Sequence, residues 1–371
     1  MKILIAGDFC PRERVAEIFE REDYSNVLSE IRELTSNVDY SIVNFECPVV
    51  TCSSNPIEKQ GPNLKCTSNG VAAIKYAGFD CVTLANNHFY DFGESGVKET
   101  LITLDRFNIS HVGGGMNIQE ASQILYKEIS GKKIAIINCC EHEFSIASAM
   151  KAGSNPLNPV RQYYAIQEAR CNADNVIVIV HGGHEHFQLP SLRMVETYRF
   201  FIDAGADAVV NHHQHCYSGY EVYNGKPIFY GLGNFCFDNH NKRCGIWTEG
   251  YMVLIDFGNE TPIFTLLPYI QCSNEPKVKM LPKTAFNSRF TELNSQICNP
   301  SKLREALNKY YLETARGYSN IFEPINNRFY LGAKRRGWLP SFISKDRKLK
   351  AYNFILCESH RDKLQFWFEN K

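Results

Sequence analysis

Short apolar runs recur along the chain, and each ends in small or polar residues. They cover residues 3–6, 41–45, 81–85, 134–138, 176–180, 208–211, 228–232 and 252–257. Runs of this length, rich in Val and Ile, predict buried strands. Stretches with helical spacing lie between several of them. Residues 26–36 place Val27, Ile31 and Leu34 on one face, and residues 69–77, 96–107, 163–171 and 192–204 have similar spacing. Strands alternating with helices predict an α/β protein with a largely parallel sheet. The alternation fades after about residue 275. Residues 274–300 read as irregular and 303–315 as helical. The pattern therefore predicts an α/β domain over residues 1–275 and a partly helical, basic extension over 276–371.

The polar residues at the ends of the apolar runs carry the chemistry. The first run ends in Gly7-Asp8, the second in Asn44-Phe45-Glu46, and the third in Asn86-Asn87-His88, followed by Asp91. The run over 176–180 leads into His181-Gly182-Gly183-His184-Glu185-His186, and that over 208–211 into His212-His213-Gln214-His215. Ligands bind at the carboxyl ends of strands in open α/β sheets. Asp, Glu, Asn and His together supply oxygen and imidazole ligands, which suit Zn, Mn or Fe better than a cysteine-built structural zinc site. On extended backbone, residues i and i+2 face one side, so His213 and His215 can address one centre. Single members have plainer readings. Asp8 can cap a helix, Asn86-Asn87 can form a turn, and His184, His186 and His212 divide between supporting roles and solvent. The clustering at five strand ends favours ligation.

Composition changes this picture in four ways. The 371 residues carry 40 basic and 40 acidic side chains, which argues against a general nucleic-acid binder. Fourteen cysteines are scattered with no CxxC pair, and several lie in apolar runs, so most read as buried reduced thiols. No apolar segment reaches the length of a signal peptide core or a membrane span, so the chain reads as soluble and cytoplasmic with no transmembrane segment. From Arg328 onward there are eleven Lys and Arg against four Asp and Glu, interleaved with Tyr330, Trp338, Phe342, Tyr352, Phe354 and Trp367. The neutral total thus hides an acidic body and a basic tail that can meet the body or an acidic partner.

The motifs GDF (Gly7, Asp8), NFE (Asn44, Glu46), LANNHFYDFG (Asn86, Asn87, His88, Asp91, Gly93), HGGHE (His181, Gly183, Glu185), NHHQH (His213, His215) and FYGLGNF (Tyr230, Gly231, Gly233, Asn234, Phe235) occur in this order. In this the chain resembles the CapA-type capsule synthesis proteins, the poly-γ-glutamate group, over about residues 1–260. That family is similar in fold to the calcineurin-like metallophosphatases. The resemblance implies a four-layer α/β sandwich with mixed, largely parallel sheets flanked by helices, and one or two divalent ions (Mn, Zn or Fe) at the strand ends. Asp8 and His215 would hold the first ion, and Asn87, His181 and His213 the second. Glu46 stands where metallophosphatases have a bridging aspartate, and His88 where a histidine faces the leaving group. His88, His181 and Glu185 are the catalytic candidates, Glu185 as a residue that orients a ligand histidine.

One departure stands out. The first strand has Asp8-Phe9-Cys10 where two-metal phosphatases have D-x-H. Cys10 is either a thiolate ligand or a structural thiol. The resemblance implies a metal-dependent hydrolase or transferase of capsule or surface-polymer synthesis, acting on a phosphoester or a γ-glutamyl amide. It would meet an anionic polymer and other capsule-synthesis proteins. The alternative is a non-catalytic polymer-binding or assembly component.

Overall fold

The computed structural model describes residues 1–50, 54–259, 261–318, 323–325 and 327–356. Cys52, Cys357 and Trp367 lie outside them, as does the side chain of Phe354. Its contacts divide the chain into two compact units, Met1–Leu303 and Arg304–Lys371.

The larger unit holds two extended sheets. In the first, the strands run in the order Val278–Met280, Ile263–Gln271, Glu249–Asp256, Lys2–Phe9, Tyr40–Phe45, Cys81–Thr83 and Ser110–Val112, and Asn234–Cys236 also pairs with Lys2–Phe9. Pairing is parallel from Lys2–Phe9 to Ser110–Val112 and antiparallel on the other side. The second sheet runs Tyr220–Tyr223, Lys226–Phe229, Ala208–His212, Asn175–His181, Lys132–Cys140 and Leu125–Ile129. Its central pairs are parallel and its outer pairs antiparallel. Every predicted strand and helix is present, although the run at 228–232 leaves the sheet after Phe229.

Burial explains the layering. Leu4 and Ala6 pack into one cluster with Val15, Ile18, Phe19, Val27, Ile31, Val71 and Ile74, all from helices. Ile3 and Ile5 point to the opposite face and are equally buried. A strand buried on both faces needs a layer on each. The second sheet supplies it, with Phe229 meeting Phe264 of the first sheet at 5.1 Å. Helices Pro159–Asn172 and Leu192–Asp203 back the second sheet. The result is a four-layer sandwich. Each buried Ile, Leu, Val or Phe contributes about 1.5–3 kcal/mol relative to exposure.

Residues 274–300 are more ordered than their composition predicts. They form the strand Val278–Met280 and the helix Asn287–Ile297, which buries Phe290, Leu293 and Ile297. Three apolar residues at helical spacing suffice there, because the ring of Phe290 packs against Tyr217 and Tyr251. Among the described cysteines all are free thiols, and most are buried. No helix among the described residues is long and apolar enough to cross a membrane.

The smaller unit is organised around Glu323. Its carboxylate accepts from Ser341 Oγ at 2.7 Å, Phe342 N at 3.1 Å and Tyr330 OH at 3.1 Å, and it pairs with Lys334 Nζ at 2.6 Å. Tyr330 and Lys334 lie on the helix Arg328–Arg335, and the helix Lys345–Leu356 follows the knot in sequence.

Candidate metal centre

Backbone irregularities aim the functional side chains. The register between the first two strands slips between Ala6 and Asp8, a bulge that re-aims the residue following it. Gly7 is needed there, because a Cβ would meet Gly233 O at 2.0 Å. His213 and His215 both take positive φ, 94° and 54°. This conformation costs non-glycine residues on the order of 1–3 kcal/mol, and such strain gathers at functional sites.

These devices bring the predicted residues together. Asp8, Glu46, Asn87, His88, His181, His213 and His215 are all buried. Glu46 Oε1 lies 3.6 Å from His181 Nε2 and 3.7 Å from His215 Nε2. Asp8 Oδ2 lies 3.8 Å from His215 Nδ1. His213 Nδ1 stands 3.1 Å from His181 Nε2, and Asn87 Oδ1 lies 3.1 Å from the same nitrogen. Two ligand groupings emerge with Glu46 in both: Glu46 with His181 and His213, and Asp8 with Glu46 and His215.

The electrostatics point the same way. Burial pushes the Asp8 carboxyl up to about 7, against hydrogen bonds from Asn44 and the His213 N–H that pull it down. Burial, then the nearby Asp8, raises Glu46 well above its ordinary value. Burial and the crowding of His213, His212, His215 and His88 hold His181 well below the usual histidine range. Both Glu46 oxygens are buried with no hydrogen-bond partner, although such a group ordinarily costs about 1–3 kcal/mol if left unsatisfied. A divalent cation fits this donor set of two carboxylates, an amide oxygen and three imidazoles.

The remaining candidates fall around this core. His88 Nδ1 sits 2.6 Å from Asp91 Oδ2, so that nitrogen carries the proton and Nε2 is left for other partners. Lys59 pairs with Asp91 and stands 3.2 Å from His88 Nδ1. Glu185 is exposed at the rim, and its carboxylate lies 3.8 Å from His186 rather than beside any ligand histidine. Cys10 is fully buried in the hydrophobic cluster and belongs to neither ligand grouping.

Four residues support the ligands: Asn44, Asn234 and His212 stand in the strand-end motifs without an assigned role there, and Glu143 escaped the sequence reading. Asn44 Nδ2 donates to Asp8 Oδ1 at 2.8 Å and is itself held by Thr83. Asn234 Oδ1 lies 2.9 Å from His215 Nδ1. His212 is buried, with Nδ1 3.6 Å from Asp8 Oδ1. Glu143 reaches Asn87 at 3.5 Å and His213 at 3.9 Å. Glu143 follows the strand Lys132–Cys140, so the same strand-end rule applied to that run would have found it. Lys59 lies in a loop and gives no sequence signal.

Two mixed sheets with a buried carboxylate–imidazole cluster at their strand ends define an α/β sandwich with a candidate divalent-cation centre. The family model for the bacterial capsule synthesis protein PGA_cap matches residues 2–239, and the chain belongs to that family. It is 33% identical over 246 residues to the capsule biosynthesis protein CapA of Bacillus anthracis, covering 64% of this chain and 60% of that protein. It is 32% identical over 235 residues to the PGA biosynthesis protein CapA of Bacillus subtilis (strain 168), covering 62% of each. The chain thus spans about three-fifths of the length of these relatives. Among solved structures, a phosphatase of Mycoplasma pneumoniae aligns with 79% of this chain and 96% of its own, with TM-score 0.46 and 15% identity.

Proposed function

We propose that this protein is a metal-dependent hydrolase or transferase of capsule or poly-γ-glutamate synthesis, acting on a phosphoester or γ-glutamyl amide. The observation that carries this reading is Glu46, a buried carboxylate without a hydrogen-bond partner, shared by two ligand groupings. Asp8 and His215 would hold one ion, Asn87, His181 and His213 a second, with Glu46 between them. When bound, such an ion supplies Lewis-acid polarisation of a substrate oxygen or an attacking water.

The chain's own groups do the rest. Asn44 orients Asp8, and Asn234 orients His215. Asp91 fixes the His88 tautomer, leaving Nε2 to exchange a proton with the leaving group. Lys59 neutralises Asp91, which limits the carboxylate's pull on the His88 proton. Burial of the cluster keeps bulk water from competing for the ligands.

The test is metal analysis of protein purified without chelator, followed by assays on phosphodiesters and γ-glutamyl amides with Mn and Zn. Bound metal, and turnover lost in His213→Ala and Asn87→Ala, is the expected result. Cys10 in the core, where a further imidazole would stand, favours the second reading, a non-catalytic polymer-binding component. Metal binding without turnover on either substrate class would select it.

A further inference from the structure

The described cations around the site differ in how they are neutralised. Arg14 pairs with Asp238 and donates to the carbonyls of Cys272, Ser273 and Asn274. Arg243 pairs with Asp238 and Glu13. Lys59 pairs with Asp91. Arg12 and Lys242 are the contrast. Both are half-buried, yet neither has a carboxylate within ion-pair distance among the described residues. The Arg12 guanidinium lies over the Phe237 ring at 5.7 Å. The Lys242 ammonium lies over the Trp247 ring at 4.3 Å and donates to His186 Nε2 at 2.7 Å.

The two supporting rings adjoin each other and the candidate centre. Phe237 and Trp247 meet at 5.4 Å, and both pack on the ligand candidate His215, at 5.2 and 5.0 Å. His186 completes the shelf, 5.5 Å from Trp247. An aromatic face holds a cation without neutralising it. An ammonium has three donors and a guanidinium five, and of these only the Lys242 bond to His186 is made among the described residues.

We propose that Arg12 and Lys242 form an anion-binding subsite on the Phe237–Trp247 shelf, which grips a negatively charged group of the substrate flanking the group held at the centre. This deepens the function proposed above and rests on it for the identity of the neighbouring centre. The chemistry recognised is a carboxylate or phosphoryl oxygen. A γ-linked glutamate chain presents such a charge at every residue, so its affinity should grow with chain length. A phosphoester presents its charge at one point.

The experiment is isothermal titration calorimetry of the full chain with mono-, tri- and penta-γ-glutamate and with inorganic phosphate. It is run in chelator, so that it does not depend on metal. Arg12→Gln and Lys242→Gln should each weaken pentamer binding by about tenfold. Arg12→Lys and Lys242→Arg should recover much of it, and binding should weaken as salt rises. Lys277→Gln, at an exposed pair with Glu275, should bind as the wild type does. Affinity rising with chain length assigns the subsite to the polymer, and phosphate binding without such a rise assigns it to a phosphoryl group. Unchanged affinity in both Gln variants, with normal circular dichroism, overturns the subsite. Asp8→Asn separates the two readings: losing metal and turnover while keeping chelator-insensitive pentamer binding would leave the subsite standing alone.

Discussion

Two buried carboxylates in this chain have opposite surroundings. Glu323, in the smaller unit, accepts from three hydrogen-bond donors and pairs with Lys334. Glu46, in the sandwich, is fully buried and neither oxygen has a hydrogen-bond partner. Burial opposes ionisation in both. At Glu323 the donors from Lys334, Ser341, the Phe342 N–H and Tyr330 outweigh it and hold the carboxyl down to about 2. At Glu46 nothing outweighs it, and neighbouring Asp8 adds to the rise. A carboxylate that serves the fold is saturated by the protein. One left open among imidazoles fits the cation that the proposed function assigns to it.

The largest test of this contrast is Glu46→Gln. The amide keeps the volume and removes the shared ligand. Metal affinity should fall by on the order of 1,000-fold, beyond the 10–100-fold typical of losing a residue that merely orients a ligand. Stability in chelator should change by less than about 1 kcal/mol, because no hydrogen bond to the protein is lost. Calorimetric metal titration and thermal melts with and without metal give both numbers. A large loss of chelator-state stability would make Glu46 a structural group after all.

Lys59→Met attacks a carboxylate of the opposite kind. Asp91 is buried and held by Lys59, His88 and the Leu64 N–H. Removing the cation leaves a buried charge unbalanced, and breaking such a pair costs about 3–5 kcal/mol. Urea melts should show that loss with metal affinity little changed. Asn44→Ala should do the reverse. It frees Asp8 to rotate, so metal affinity should fall by about 10–100-fold, read by competition with a chromogenic chelator.

The legibility of the site follows from the same physics. Asp8, Glu46, His181, His213 and His215 were readable because each closes an apolar run, and strand ends converge in this class of sheet. The sequence also placed the sandwich strands, since burial on both faces leaves uninterrupted apolar runs. Asn44 and Asn234 stand in the motifs, but they support the ligands through hydrogen bonds to Asp8 and His215, and no local spacing betrays those partners. Lys59 reaches its partners from a loop. His212 looks like its neighbours, and only the strand's alternation decides that it turns toward Asp8. Glu185 shows the converse: His181 and Gly182 at the start of its motif are buried, but the loop that follows carries Glu185 outward.

The smallest expected effect belongs to Glu323, and it probes the saturated side of the comparison. Its folded-state value lies below the ordinary 4.5, at about 2. The ionised form is therefore favoured by folding, and its contribution is fully present above about pH 4.5. It should fade as pH falls from there toward 2, when the carboxylate takes up a proton and loses its pairing with Lys334. Hydrogen exchange over residues 328–342, corrected for intrinsic rates, should show protection falling through that window. Glu323→Gln should be less protected at neutral pH and flat across it, because the amide accepts more weakly and cannot titrate. A wild-type profile as flat as the variant's would mean that the Tyr330, Ser341 and Phe342 contacts hold this unit without the charge, and the contrast with Glu46 would then rest on hydrogen-bond count alone.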